Sequence, residues 1–292
     1  MSANSQRGTI CLEDGRIVSQ QAYAGNQYLL RIHAPRCAAR AQPGSFAHLT
    51  CDPLIPMRRP LSIMRAHAEA GWVDFLYKPI GAGLARLAAR VPQETVSVLG
   101  PIGHGFEPDP NRPLLLAVAG GVGIPPVHFL AERLRGDDRF ELIVLMGSEV
   151  PFPFELTAAR QAIAGLPKTA RFGVAQLEQW GIPSALASRA GLDGCYPGFV
   201  TDLARAWLDS LPSDALATVQ MVGCGPHGML AATAATAREY GLPCQLAVEE
   251  FMACGVGGCA GCIVPLNTRD GVVMKRVCVD GPVFDAHELY PA

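Results

Sequence analysis

With 292 residues, the chain has room for two or three domains. Its 49% hydrophobic and 17% charged residues describe a well-cored globular protein, not a disordered one. A formal net charge of −2 gives no electrostatic footprint for nucleic acid or an anionic membrane. No apolar run approaches the ~20 residues of a membrane span, and MSANSQRGTICLEDGRIVSQ lacks a signal-peptide core. The expectation is a soluble, cytoplasmic protein with neither nucleic acid nor membrane as a partner.

Residues 1–108 read as short strands broken by Gly, Pro and Asn, clearest at 28–33, 46–49, 72–77 and 95–99. Such spacing predicts an all-β barrel or sandwich, interrupted here by one helix over 83–90. The pattern changes at Pro113. An apolar strand over 114–119 runs into Gly120-Gly121-Val122-Gly123-Ile124-Pro125-Pro126 and a helix to about residue 135. A second buried strand follows at 141–146. A third, at 217–222, leads into Gly223-Cys224-Gly225-Pro226 and an Ala-rich helix over 227–240. Alternating strands and helices of this kind predict a parallel, Rossmann-like sheet over 109–243, covered on both faces. Residues 244–292 form a short final segment.

The glycine turns point to a nucleotide. Between a parallel strand and a helix, Gly120, Gly121 and Gly123 let backbone approach a pyrophosphate, and the helix N-terminus favours its charge. GGVGIPP is not GxGxxG, so an ordinary tight turn stands beside this reading. The second turn, at Cys224, Gly225 and Pro226, ends another strand of the same sheet and favours a shared crevice. In the β region, Arg58-Arg59-Pro60-Leu61-Ser62-Ile63 sets a guanidinium beside a hydroxyl, suited to a phosphate or a flavin edge. Tyr77-Lys78-Pro79-Ile80-Gly81-Ala82-Gly83 offers a cation and then glycines opening a helix. Taken alone, each string also fits a solvated edge or a plain turn.

Four of the ten cysteines, Cys254, Cys259, Cys262 and Cys278, have the spacing C-x4-C-x2-C-x15-C. A reducing compartment disfavours disulfides and makes a thiol cluster a metal or redox site. Structural zinc prefers two C-x2-4-C knuckles, and only Cys259 and Cys262 form one; the order matches the plant-type [2Fe–2S] spacing. Zinc remains the alternative. The tail is too short to bury a core alone, so cluster loss is expected to unfold it. The scattered Cys11, Cys37, Cys51, Cys195, Cys224 and Cys244 read as small buried hydrophobes.

With these residues in place, the chain resembles the electron-transfer subunits of type B dihydroorotate dehydrogenases, within the ferredoxin reductase superfamily. RRPLSI, GPIGHGF, AGGVGIPPV, GCGPHGML, EEFMACGVGGCAGC and VCVDGPVF carry the resemblance. It implies an FAD-binding β-barrel, an NAD-binding domain and a small [2Fe–2S] domain. It places FAD contacts on Arg59, Pro60, Leu61, Ser62, Leu76, Tyr77, Lys78, Gly83 and Leu84, and cluster ligation on the four clustered cysteines. Leu61 stands where the superfamily usually has an aromatic residue, and Leu84 where it usually has Thr. Glu149 reads either as a ribose acceptor or as a solvated carboxylate, and Cys224 either as a neighbour of the nicotinamide or as a packed thiol.

The implied function is a relay from the FMN of a partner catalytic subunit, in a heterotetramer, through the cluster and FAD to NAD+, in pyrimidine biosynthesis. Hydride transfer needs no general acid or base, and no catalytic side chain is assigned. The competing readings are a reductase subunit serving another acceptor (bifurcating transhydrogenase, sulfhydrogenase or oxygenase) and a non-catalytic module whose cysteines hold zinc.

Overall fold

The computed structural model describes residues 10–160 and 163–291. β1 (Cys11–Tyr23), β2 (Gln27–His33), β3 (Phe46–Thr50), β4 (Arg59–His67), β5 (Trp72–Tyr77) and β6 (Thr95–Ile102) close an antiparallel barrel in the order β1-β2-β5-β4-β3-β6. Two short helices, α1 (Pro35–Ala38) and α2 (Gly81–Ala88), lie between strands; α2 begins two residues before the predicted helix. Ile17, Leu30, Ile32, Leu49, Ile63, Phe75 and Val98 fill the barrel. Side chains alternate along a strand, so while Ala47 and Leu49 of β3 face this interior, Phe46 and His48 face outward. Both are nevertheless buried, Phe46 in the core of the neighbouring region.

The next region is built on β7 (Leu114–Gly120), β8 (Glu141–Gly147), β11 (Ser184–Ala187), β12 (Val219–Cys224), β13 (Cys244–Ala247) and β16 (Val283–Asp285), in the sheet order β11-β8-β7-β12-β13-β16. All neighbours are parallel except β13 and β16. The helices are α3 (Ile124–Leu134), α4 (Ala175–Gln179), α5 (Val200–Asp209), α6 (Ser213–Leu216), α7 (His227–Glu239) and α8 (Ala286–Leu289), with a small pair, β9 (Leu156–Ala158) and β10 (Phe172–Val174), inserted before β11. On β7, Leu115, Ala117 and Ala119 pack toward α3, while Leu116 and Val118 pack toward α5 and α7. Burial on both faces is why these strands read as continuous apolar runs. Strand order reverses between β7 and β12, the place where doubly wound sheets bind ligands.

The barrel is clamped to this sheet by Arg65 of β4, whose guanidinium meets Glu132 of α3 at 2.5 Å. The hairpin of β14 (Ile263–Thr268) and β15 (Gly271–Arg276) completes the fold. Val264 and Leu266 of its inner face, with Val277, join the core shared with the sheet, and β14 packs on α8.

The division at residue 243 falls inside the six-stranded sheet, because β13 and β16 are two of its strands. The last segment therefore does not have to build a core alone. Its hairpin shares one with the sheet.

Candidate functional site

A cavity of about 1100 Å³ opens where the barrel, the parallel sheet and the cysteine loop meet. Ordinary small-molecule pockets enclose about 300–1,000 Å³, so this one has room for a dinucleotide.

The barrel wall follows from strand pairing. The β4–β5 ladder runs from His67↔Trp72 to Ile63↔Phe75 and stops there. Arg59–Ser62 and Leu76–Tyr77 thus have no partner strand on that side, and Arg59, Pro60, Leu61, Ser62, Leu76, Tyr77, Lys78 and Leu84 line the cavity. Pro60 lacks a donor and is tolerated at such a strand start. Arg59 lies across the first turn of α2. A Cβ at Gly83 would meet its guanidinium at 3.0–3.2 Å, so glycine there keeps room for the cation although Gly83 is not itself in the wall. No side chain caps α2. Free N–H groups, Arg59 and Lys78 together make an anion-binding corner. Arg58 also lines the cavity, but its guanidinium is engaged: it donates to the Ser97 carbonyl and hydroxyl at 3.2 and 3.1 Å, and burial lowers its pKa. The Tyr77 hydroxyl donates to Gln20 at 2.9 Å, with burial raising its pKa.

On the sheet side, Val122, Pro126, Cys224 and His227 line the cavity, whereas Gly120, Gly121, Gly123, Gly225 and Pro226 do not. The glycines mainly let the two turns meet. A Cβ at Gly123 would lie 2.4 Å from the Gly225 nitrogen and 2.5 Å from the Cys224 carbonyl carbon, an approach only glycine allows. Cys224 is buried, and burial followed by the Glu249 carboxylate raises its pKa well above the usual thiol range. It is a packed thiol, not a nucleophile. Glu149 pairs with Arg189 at 3.4 Å.

Glu249, Glu250, Phe251, Met252 and Ala253, immediately before the first clustered cysteine, also line the cavity, as does Gly261. The string was read for its thiols, and nothing in composition marked these residues as a wall. The loop arranges the thiols as two pairs. Cys254 and Cys259 lie within hydrogen-bonding reach of each other, as do Cys262 and Cys278. The second pair follows from the hairpin: Cys262 precedes β14 and Cys278 lies just beyond β15, the ends meet at Ile263↔Arg276, and the Val277 N–H donates to the Cys262 carbonyl at 2.9 Å. That is why the fourth cysteine stands so far along the chain.

The Val256 and Gly261 N–H groups point at the sulfurs of Cys254 and Cys259, each at 3.4 Å. Burial opposes ionisation of Cys254, but the surrounding N–H donors and the Cys259 thiol bring it down to about 7. Burial and the Cys262 neighbour push Cys278 up to about 12. No three His, Cys, Asp or Glu among the described residues converge on one metal ion. Two thiol pairs suit a two-iron cluster, which takes two thiolates on each iron, better than a tetrahedral zinc. Arg276 anchors the loop through Asp280 at 3.0 Å and the Gly257 carbonyl at 3.2 Å.

His48 stands against the same loop. Its ring is fully buried, neither nitrogen has a hydrogen-bond partner among the described residues, and burial, aided by the Arg58 cation, lowers its pKa to about 4. Sequence reasoning passed over it as one residue of a short strand.

Barrel, doubly wound sheet, shared cavity and paired thiols define a ferredoxin-reductase-type protein with an added iron–sulfur domain. Residues 249–290 match the family described as the iron–sulfur cluster binding domain of dihydroorotate dehydrogenase B. The dihydroorotate dehydrogenase B (NAD(+)) electron transfer subunit of Bacillus caldolyticus is 34% identical over 281 residues, 94% of this chain and 96% of the relative. The chain belongs to that family of electron transfer subunits. Among solved structures, an NADH-dependent reduced ferredoxin–NADP oxidoreductase aligns with a TM-score of 0.73 at 24% identity, over 94% of this chain and 89% of that one. A ferredoxin NADP+ reductase from Neisseria gonorrhoeae with bound FAD and NADP aligns with a TM-score of 0.58 at 16% identity, over 79% and 92%. At these identities the two structures speak for the fold.

Proposed function

We propose that this chain is the electron-transfer subunit of an NAD+-reducing dihydroorotate dehydrogenase. The observation that carries this reading is that Met252, Ala253 and Gly261, neighbours of cluster thiols in the chain, form part of the wall of the barrel's cavity. Arg59, Lys78 and the start of α2 hold the FAD pyrophosphate, while Pro60, Leu61, Ser62, Leu76, Tyr77 and Leu84 bound the flavin. Nicotinamide enters from the sheet side, past Val122, Cys224 and His227, with Gly120, Gly121, Gly123, Gly225 and Pro226 shaping the turns that admit it. Cys254, Cys259, Cys262 and Cys278 hold a [2Fe–2S] cluster. When bound, the flavin exchanges hydride with nicotinamide and single electrons with the cluster. The chain's own part is to fix positions and keep the flavin under the apolar cover of Met252 and Phe251.

The partner we propose is an FMN-containing catalytic subunit, in a heterotetramer. Cys259 is exposed, flanked by the half-exposed Val256 and Ile263, whereas Cys262 and Cys278 are buried. The exposed rim of the cluster loop thus suits an apolar subunit contact. All ten cysteines are free thiols, which suits the cytoplasm; no helix among the described residues is long and apolar enough to cross a membrane. As functional units we propose 1–108 for FAD, 109–243 for NAD and 244–292 for the cluster, the last leaning on the sheet of the second. Reductases serving other acceptors share the fold; identity over nearly the whole chain favours the dihydroorotate reading.

Anaerobic titration of the purified holoprotein with NADH tests the relay. It should bleach flavin and cluster bands together, taking up about three electron equivalents per chain, two at flavin and one at the cluster. Uptake of two equivalents with flavin bleaching alone would disconnect the cluster from the cavity.

A further inference from the structure

His48 has no place in the flavin cavity, yet it is the most deeply buried polar side chain on the barrel's outer face. Its neighbours on β3 explain the site's shape: Ala47 and Leu49 face the barrel core, so His48 projects on the opposite side, against the loop that begins at Cys254. Gly255, in the left-handed region at φ 68°, lies under the ring. A Cβ there would sit 2.9, 3.0 and 3.1 Å from Cε1, Nδ1 and Nε2 of His48. Any side chain at 255 would therefore displace the imidazole.

The ring's other surroundings supply nothing it can bond. Phe46 lies with its ring centre 5.9 Å away. Arg58 donates to the His48 carbonyl at 3.4 Å and has no acceptor to offer. Both ring nitrogens are thus shut from solvent and unbonded. Buried polar groups are ordinarily satisfied, and an orphaned imidazole packed on Gly255, the residue after the first cluster cysteine, implies a partner that arrives with the cluster.

We infer that His48 donates an N–H hydrogen bond from the barrel to the iron–sulfur cluster, at a sulfide or at the Cys254 thiolate, and thereby raises the cluster's reduction potential. This rests on the four-cysteine cluster reading above. A hydrogen bond to cluster sulfur stabilises the more negative, reduced form, a recognised lever on such potentials. The assignment also gives the barrel a direct hold on the cluster loop, alongside the cavity wall they share.

The test is an EPR-monitored redox titration of the holoprotein, with His48→Leu and His48→Gln compared with wild type and with the histidines ¹⁵N-labelled. We expect a ¹⁵N hyperfine coupling to the reduced cluster in wild type that is lost in His48→Leu. Reduction should become about tenfold less favourable in that variant, ~59 mV for one electron. His48→Gln, which keeps an N–H, should recover part of the shift. If His48→Leu does not fold, the labelled wild-type protein decides alone: no histidine ¹⁵N coupling to a reduced cluster overturns the inference. An unchanged midpoint in a folded His48→Leu overturns it too. A wild-type chain that carries flavin but gives no reduced-cluster signal overturns the cluster reading itself, and this inference with it.

Discussion

Cys254→Ser should leave a yellow protein that NADH still reduces but that no longer passes electrons to its partner. Transfer to a one-electron acceptor that depends on the cluster should fall by at least about 100-fold, the loss typical when a metal site's ligand set is broken. Dye reduction straight from the flavin should persist, because Cys254 lies outside the cavity wall. Cys254 is the informative position: Cys262 and Cys278 are buried in the core shared with the sheet, so their loss would mix packing with ligation. The structural response should be local. Hydrogen exchange should accelerate over 249–262, where glycines and irregular backbone depend on the metal. It should stay slow in β13 and β16, whose ladders close without it. Arg276, held to Asp280 and the Gly257 carbonyl, limits the loosening further. A variant that keeps full iron and full transfer would remove Cys254 from the ligand set.

Arg59→Ala should weaken FAD binding by about 30–100-fold, the effect of losing a charge-assisted contact worth about 2–3 kcal/mol. The effect follows from where Arg59 lies. Arg59 leaves the strand where β4 parts from β5, lies over Gly83 at the uncapped start of α2, and lines the cavity. Its hydrogen bonds in the chain itself run to the Met57 and Arg58 carbonyls at 2.8 and 3.3 Å, which fix its direction without neutralising it. Arg58, one residue before, also lines the cavity but is occupied by Ser97, so its replacement should lower barrel stability and weaken flavin binding less than Arg59→Ala does. Fluorescence titration of the apoprotein with FAD separates the two. Equal affinities for Arg59→Ala and wild type would show that Arg59 serves only the turn at Met57.

The parts legible in the sequence were those whose pattern has a single physical origin. β7 and β12 are buried on both faces and flow into glycines, so strand, turn and helix could be read in order. The cysteine spacing carried its chemistry directly, and the hairpin then accounted for its longest gap. β1 was not legible because polar and apolar residues alike are exposed along it, leaving only Cys11, Gly15 and Ile17 buried with no clean alternation. β4 was read only as an extended string because Pro60 obscures a strand. β13 and β16 are too short to show a period, so their membership of the sheet is a tertiary fact. The close approach of Gly123 to Gly225, and the lining by Val122, Pro126, Cys224 and His227 beside the two turns, are tertiary facts that the glycine strings do not show. Glu249–Ala253 and His48 owe their places to the docking of the cysteine loop on the barrel, which no local signal reveals.

A chain that links dihydroorotate oxidation to NAD+ should co-purify anaerobically with the dihydroorotate dehydrogenase catalytic subunit from the same cell, and the pair should form NADH from dihydroorotate and NAD+. The expected result is a stable brown complex that makes NADH, with the activity absent from either subunit alone. A flavin- and iron-containing chain that oxidises NADH with dyes, but neither binds that subunit nor takes electrons from it, would rule out the link to dihydroorotate.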